Sequence, residues 1–244
     1  MTAQLAGLMA ILFAAQAVSA ISGFGSTVIA VTVGAQLYSI PEILVMVLPI
    51  SVLQSSLIAA RNRGAIQWRL LGGEVLPLLG VGMAGGFLIA GRVGGEALRL
   101  GYGALILALA LRELWVAARA AVAPAPLPRP VSAAFIGGAG VVHGIWASGG
   151  PLLVYSLGRR GLDKAAFRAT LCVVWIALDS IFNARMAAAG AFTEDSLRAT
   201  ALLLPAALLG LWLGDRVHAR IDERRFRLVT FGVLALAAIA LLLR

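Results

Sequence analysis

Charge is scarce in this chain. Only 13% of its 244 residues are Asp, Glu, Lys or Arg, against about a quarter in a soluble domain, which excludes an ordinary water-soluble fold. Cysteine is nearly absent: Cys172 stands alone, so no internal disulfide can form. Histidine occurs twice, at His143 and His218, and no closely spaced His/Cys/Glu set suggests a metal centre. No cofactor is expected. The G-x-x-x-x-G-K-[ST] pattern of nucleotide-driven motors is missing. Basic patches interleaved with aromatics are also missing, so the net charge of +9 does not point to nucleic acid. No Lys or Arg precedes the first apolar run, and that run continues past the small residues Ala17 to Ala20. It reads as a retained membrane segment rather than a cleaved signal.

What remains is apolar sequence, 61% of the chain. Stretches at about 4–37, 42–60, 70–91, 97–116, 131–157, 168–187, 196–214 and 226–243 are mostly near the ~20 residues that a helix needs to cross hydrocarbon. The first is too long for one crossing. Two of them are interrupted at corresponding places, by Ser22-Gly23-Phe24-Gly25-Ser26 and by Ala147-Ser148-Gly149-Gly150-Pro151. Glycine and serine weaken a helix there and free backbone N–H groups, which lipid cannot satisfy. Matched breaks in two halves are the best sequence pointer to a transporter's binding site.

The halves echo one another. Gly86 to Val93 matches Gly210 to Val217, Arg61 matches Arg185, and Pro77 and Pro205 each lie in the third segment of their half. Residues 1–117 and 131–244 are therefore expected to be two transmembrane repeats, joined by a proline-rich connector at 118–130. Arginine collects at 61–69, 112–129, 159–168 and 216–227. Eight simple crossings would split these loops between the two faces. If 131–157 and its counterpart 4–37 each dip in and return, all four lie on the cytoplasmic side, as loop charge prefers. The expected fold is an all-α polytopic membrane protein of two inverted repeats, each a broken or re-entrant first helix followed by three transmembrane helices.

The run from His143 to Tyr155, followed by Ala166-Phe167-Arg168-Ala169-Thr170, resembles the TauE/SafE family of sulfite and organosulfonate exporters, also called the transmembrane anion permease superfamily. Gly23-Phe24-Gly25-Ser26 would be the first-half copy. It departs from the family pattern by lacking a denser glycine run and a later proline. The resemblance implies a small oxoanion, organosulfonate or related organic acid as substrate.

Candidate substrate-binding residues are Gly23, Phe24, Gly25 and Ser26 at the first break, and His143, Trp146, Ser148, Gly149 and Gly150 at the second. Asp179 and Asn183 join them, one turn apart in a membrane segment where a carboxylate is costly. A half-helix starting at each break would aim its N–H groups and the positive end of its dipole at an anion. His143 and Asp179 could each tune charge or carry a proton. Ser51 and Gln54 are candidates for the other side of the same cavity, Gln16 a weaker one. Gly82 to Gly86, Gly101 and Gly103 read as helix packing, His218 as surface, and Glu74 as a partner of Arg69. Trp68 and Trp115 read as interfacial anchors.

A secondary transporter working by alternating access, without catalytic activity, is thus the leading expectation, with an integral-membrane enzyme or an accessory membrane subunit as the alternative. The expected partners are a small anion and the bilayer of a bacterial inner membrane, and self-association into a homo-oligomer stays open.

Overall fold

A computed structural model describes residues 3–34, 36–90, 96–119, 125–147 and 149–243. Among these the regular structure is helical: α1 (Ala3–Ser22), α2 (Ser26–Gly34), α3 (Ile40–Arg61), α4 (Trp68–Ile89), α5 (Glu96–Arg119), α6 (Arg129–Trp146), α7 (Gly150–Leu157), α8 (Lys164–Ala188), α9 (Glu194–Arg220) and α10 (Glu223–Leu242). The second five repeat the first five in order: long helix, half-length helix, then three long helices. Of the connector at 118–130, residues 120–124 lie outside the described residues.

Five helices, α1, α3, α4, α8 and α9, are long and apolar enough to cross a membrane. Large apolar side chains also point outward from the helices. Val81 and Leu88 on α4, Leu209 on α9 and Leu236 on α10 are each more than half exposed. Helices that are hydrophobic all round belong in lipid, and the protein is an integral membrane protein. Polar capping is found at helix starts: Glu42 accepts from the Ser39 backbone (2.9 Å) ahead of α3, Thr193 accepts from the Ser196 backbone (3.2 Å) ahead of α9, and Asp222 accepts from the Arg225 backbone (2.7 Å) ahead of α10. Trp68 and Trp115 are more than half exposed at helix ends, as interfacial anchors require.

The chain divides into two compact units. One comprises residues 1–64 and 171–221, the other residues 65–170 and 222–244. Each draws on both halves of the chain.

In the first unit α1 packs on α9, and α2 and α3 complete a core of Leu5, Leu8, Leu12, Ala30, Ile43, Val47, Ile50 and Leu203. In the second, α4 packs on α6 and α5 on α10. The two long-helix pairings use the same device, glycine against backbone. A methyl group on Gly82 or Gly86 would lie 2.1 Å from the Gly137 carbonyl or 2.3 Å from that of Val141, and one on Gly210 or Gly214 would lie 2.4 Å from the carbonyl of Phe13 or Ala17. Small residues four apart let membrane helices approach this closely.

These contacts correct the register of the sequence echo. Gly210 occupies the place of Gly82, and Gly214 that of Gly86, so the match of Gly86 with Gly210 is one helical turn out. Pro77 and Pro205 agree with the packing register. Gly103 packs against Leu242, whereas Gly85 and Gly101 face open space. In α4 a π-helical stretch, Leu71–Val75, precedes Pro77. Such a bulge accommodates the hydrogen bond that proline cannot donate.

Candidate functional site

Both segments broken by glycine fold as helical hairpins. In the first, Leu8 near the start of α1 lies against Gly34 at the end of α2, and Gly7 lies against Leu37. In the second, Ser132 at the start of α6 shares a 2.8 Å hydrogen bond with Ser156 near the end of α7, and the Phe135 and Tyr155 rings sit 5.0 Å apart. The chain runs in, turns, and comes back to the level at which it entered.

The turns are built alike. α1 is closed by Gly23, whose φ is 84° and whose N–H donates to the Ser19 carbonyl at 2.7 Å. α6 is closed by Ala147, with φ 52° and an N–H that donates to the His143 carbonyl, also at 2.7 Å. A left-handed residue ends a helix by this single bond. Glycine takes the conformation at no cost, and alanine at about 1–2 kcal/mol. Gly25, at φ 102°, then turns the first chain into α2.

At the second break Gly149 has an ordinary φ but no room. A Cβ there would stand 1.9 Å from the Ala139 carbonyl and 2.9 Å from the His143 side chain. α7 follows with Pro151 in its first turn, where a missing N–H is harmless.

Ending a helix inside the protein leaves carbonyls to be satisfied. At the first break side chains supply the donors. Trp175 of α8 donates its indole N–H to the Gly23 carbonyl at 2.7 Å. His218 of α9 places Nδ1 2.8 Å from the Ile21 carbonyl, which makes Nδ1 the protonated nitrogen. Gln54 of α3 donates Nε2 to the Gln16 carbonyl at 3.1 Å, and the Ser22 hydroxyl lies 2.9 Å from the carbonyls of Val18 and Phe24. His218 is therefore a buried brace, 5% exposed, not a surface residue. Trp175 was not among the sequence candidates. Its partner is a backbone atom, which leaves no mark in the sequence.

The open end of the second hairpin is held by charge. Glu113 of α5 is wholly buried. It lies 2.6 Å from Arg112 and 3.5 Å from both Arg159 and Arg227. Arg160 pairs with Glu74 and donates to Ser132 at 2.7 Å. Glu74 is thus tied to the chain leaving α7 through Arg160, where the sequence suggested Arg69.

The first unit contains Gly23 to Ser26, Asp179 and Asn183. Phe24 and Ser26 are buried, and Asp179 accepts from the Ser51 hydroxyl at 2.8 Å. The second contains His143, Gly149 and Gly150, all buried. His143 and Asp179 belong to different units. Ser148 and the Trp146 side chain lie outside the described residues.

The family profile of the sulfite exporter TauE/SafE matches residues 8–241, nearly the whole chain. The chain belongs to the TauE/SafE family. No curated protein and no solved structure matches it. Sulfite exporters of this family are membrane transporters, not enzymes, and both hairpins fall within the matched span. The resemblance noted from His143 to Tyr155 is confirmed at the level of the family.

Proposed function

We propose that this chain is a secondary transporter of a small anion, of the sulfite or organosulfonate class, in a bacterial inner membrane. One observation carries the proposal: two hairpins with the same left-handed closure each begin a short helix at the turn. The first turn of any helix has N–H groups without intrahelical partners, and the macrodipole makes that end positive. An oxoanion accepts such bonds from several directions.

From Ser132 to Trp146, α6 rises about 21 Å at ~1.5 Å per residue, so a hairpin entering from one face carries its turn well into a core ~30 Å thick. In the second unit the ligand groups are the amides at the start of α7, with His143 beside Gly149. In the first they are the amides at the start of α2, next to Phe24 and Ser26. We assign the repeats an inverted relation and the transport cycle an alternating-access scheme, since both suit a chain built from two such halves.

The test is ligand-dependent stability of the purified chain. Sulfite, sulfoacetate and sulfate are titrated against gluconate at constant ionic strength, and unfolding is followed by labelling of Cys172, which is buried in the fold. Saturable stabilisation by one of the sulfur oxoanions, absent with gluconate, is the expected result. Equal, non-saturating responses to all four would refute the anion assignment.

A further inference from the structure

The first unit holds a second polar cluster that the anion reading leaves without a task. It joins α1, α3 and α8 away from their ends. Ser51 and Gln54 lie one turn apart on α3, and Asp179 and Asn183 one turn apart on α8. The Ser51 hydroxyl donates to Asp179 at 2.8 Å, and Gln54 Nε2 donates to the Gln16 carbonyl at 3.1 Å. Gln16, Ser51, Gln54 and Asp179 are all at least nine-tenths buried.

Oxygen acceptors are in excess here. The bond to the Gln16 carbonyl fixes the Gln54 amide, because a flipped amide would set oxygen against oxygen. Gln54 Oε1 is then a buried acceptor with no hydrogen-bond partner among the described residues, and so is Asn183 Oδ1. Both amide atoms of Gln16, which is fully buried, are in the same condition. The Ser51 oxygen has given its only hydrogen to Asp179 and keeps lone pairs. Leaving several buried groups unsatisfied together is costly, and one bound ligand would satisfy them at once.

An anion cannot complete it, since the open groups are chiefly acceptors. A proton on Asp179 would satisfy one acceptor and leave the others. A hard cation uses several oxygens together. The set holds one carboxylate among neutral oxygens, which suits an ion of low charge, and a divalent ion would carry more charge into the bilayer.

We propose that Asp179, Ser51, Gln54 and Gln16 bind a monovalent alkali cation of the sodium class. The inference builds on the transporter reading, in which this ion is the coupling cation for the anion.

The experiment uses the full chain without any substrate anion. Binding of radioactive sodium is measured together with thermal unfolding in sodium chloride against choline chloride, at constant ionic strength and at two pH values. About one sodium per chain and a saturable rise in unfolding midpoint are expected. Asp179→Asn should abolish both, and Ser51→Ala should weaken sodium binding at least tenfold. Absence of sodium binding in the native chain overturns the proposal. Binding unchanged in both variants, or stabilisation that follows pH and ignores sodium, does so equally. Because no anion is present, a negative result leaves anion transport standing. Sodium binding without anion recognition would instead remove the transporter reading and keep the site.

Discussion

Gly23 and Ala147 are the same residue in structural terms. Each closes the first helix of its hairpin in the left-handed conformation, and each donates its N–H to the carbonyl four positions back at 2.7 Å. Only one of them has the side chain that the conformation favours. Gly23→Ala should lower stability by about 1 kcal/mol through αL strain. In Ala147→Gly the relief of that strain outweighs the ~0.4–1 kcal/mol of unfolded-chain entropy that a new glycine adds, so its midpoint should hold or rise. Thermal unfolding in detergent, read by Cys172 labelling, distinguishes the two signs.

Gly86 and Gly85 make a neighbouring pair with opposite expectations. Gly86→Ala drives a methyl group to 2.3 Å from the Val141 carbonyl, whereas Gly85→Ala enters open space. The first should separate α4 from α6 and cost about 1–3 kcal/mol. The second should be neutral or gain up to ~1 kcal/mol from helix propensity. Gly214→Ala should behave like Gly86→Ala, by its matching contact with Ala17. The same unfolding assay ranks all three.

Trp175→Phe keeps the ring and removes the donor to the Gly23 carbonyl. That carbonyl is left buried and unsatisfied, at a cost of about 1–3 kcal/mol. The loss should concentrate at the first break, and amide hydrogen exchange across Ser19–Ile29 should quicken more than exchange across α10.

Glu113→Gln leaves Arg159 and Arg227 close together with no carboxylate between them. Breaking a buried ion pair from one side costs about 3–5 kcal/mol. A large drop in unfolding midpoint is expected. Partial rescue by Arg227→Met in the Glu113→Gln background would show that the uncompensated charge is the cause.

Much of this architecture could be read from composition. Glycine and serine inside apolar runs marked both turns, each of which is the bend of a helical hairpin within its unit. The first break lacks the proline of the second, yet it reaches the same geometry because Gly23 and Gly25 supply positive φ directly. The register of the internal echo was misread for a physical reason. Small residues recurring every four positions make a slip of one turn nearly as good a match as the true pairing, and only the contacts of Gly82 and Gly214 separate the two. The braces Trp175 and His218 were invisible because they answer backbone carbonyls, whose exposure depends on where the helix ends. Asp179 was legible as an expensive residue. Its hydrogen bond to Ser51 across the fold was not, since nothing in the spacing ties α3 to α8.

Uptake of labelled sulfite or sulfoacetate into proteoliposomes, with the native chain beside Gly149→Leu, tests most directly whether a helix start at the break carries the anion. The native chain should accumulate the anion above protein-free vesicles. Gly149→Leu, whose side chain must collide with the Ala139 carbonyl and the His143 side chain, should insert into the membrane normally and lose at least nine-tenths of that uptake. Native-level uptake by the variant, or none by the native chain, would contradict the account.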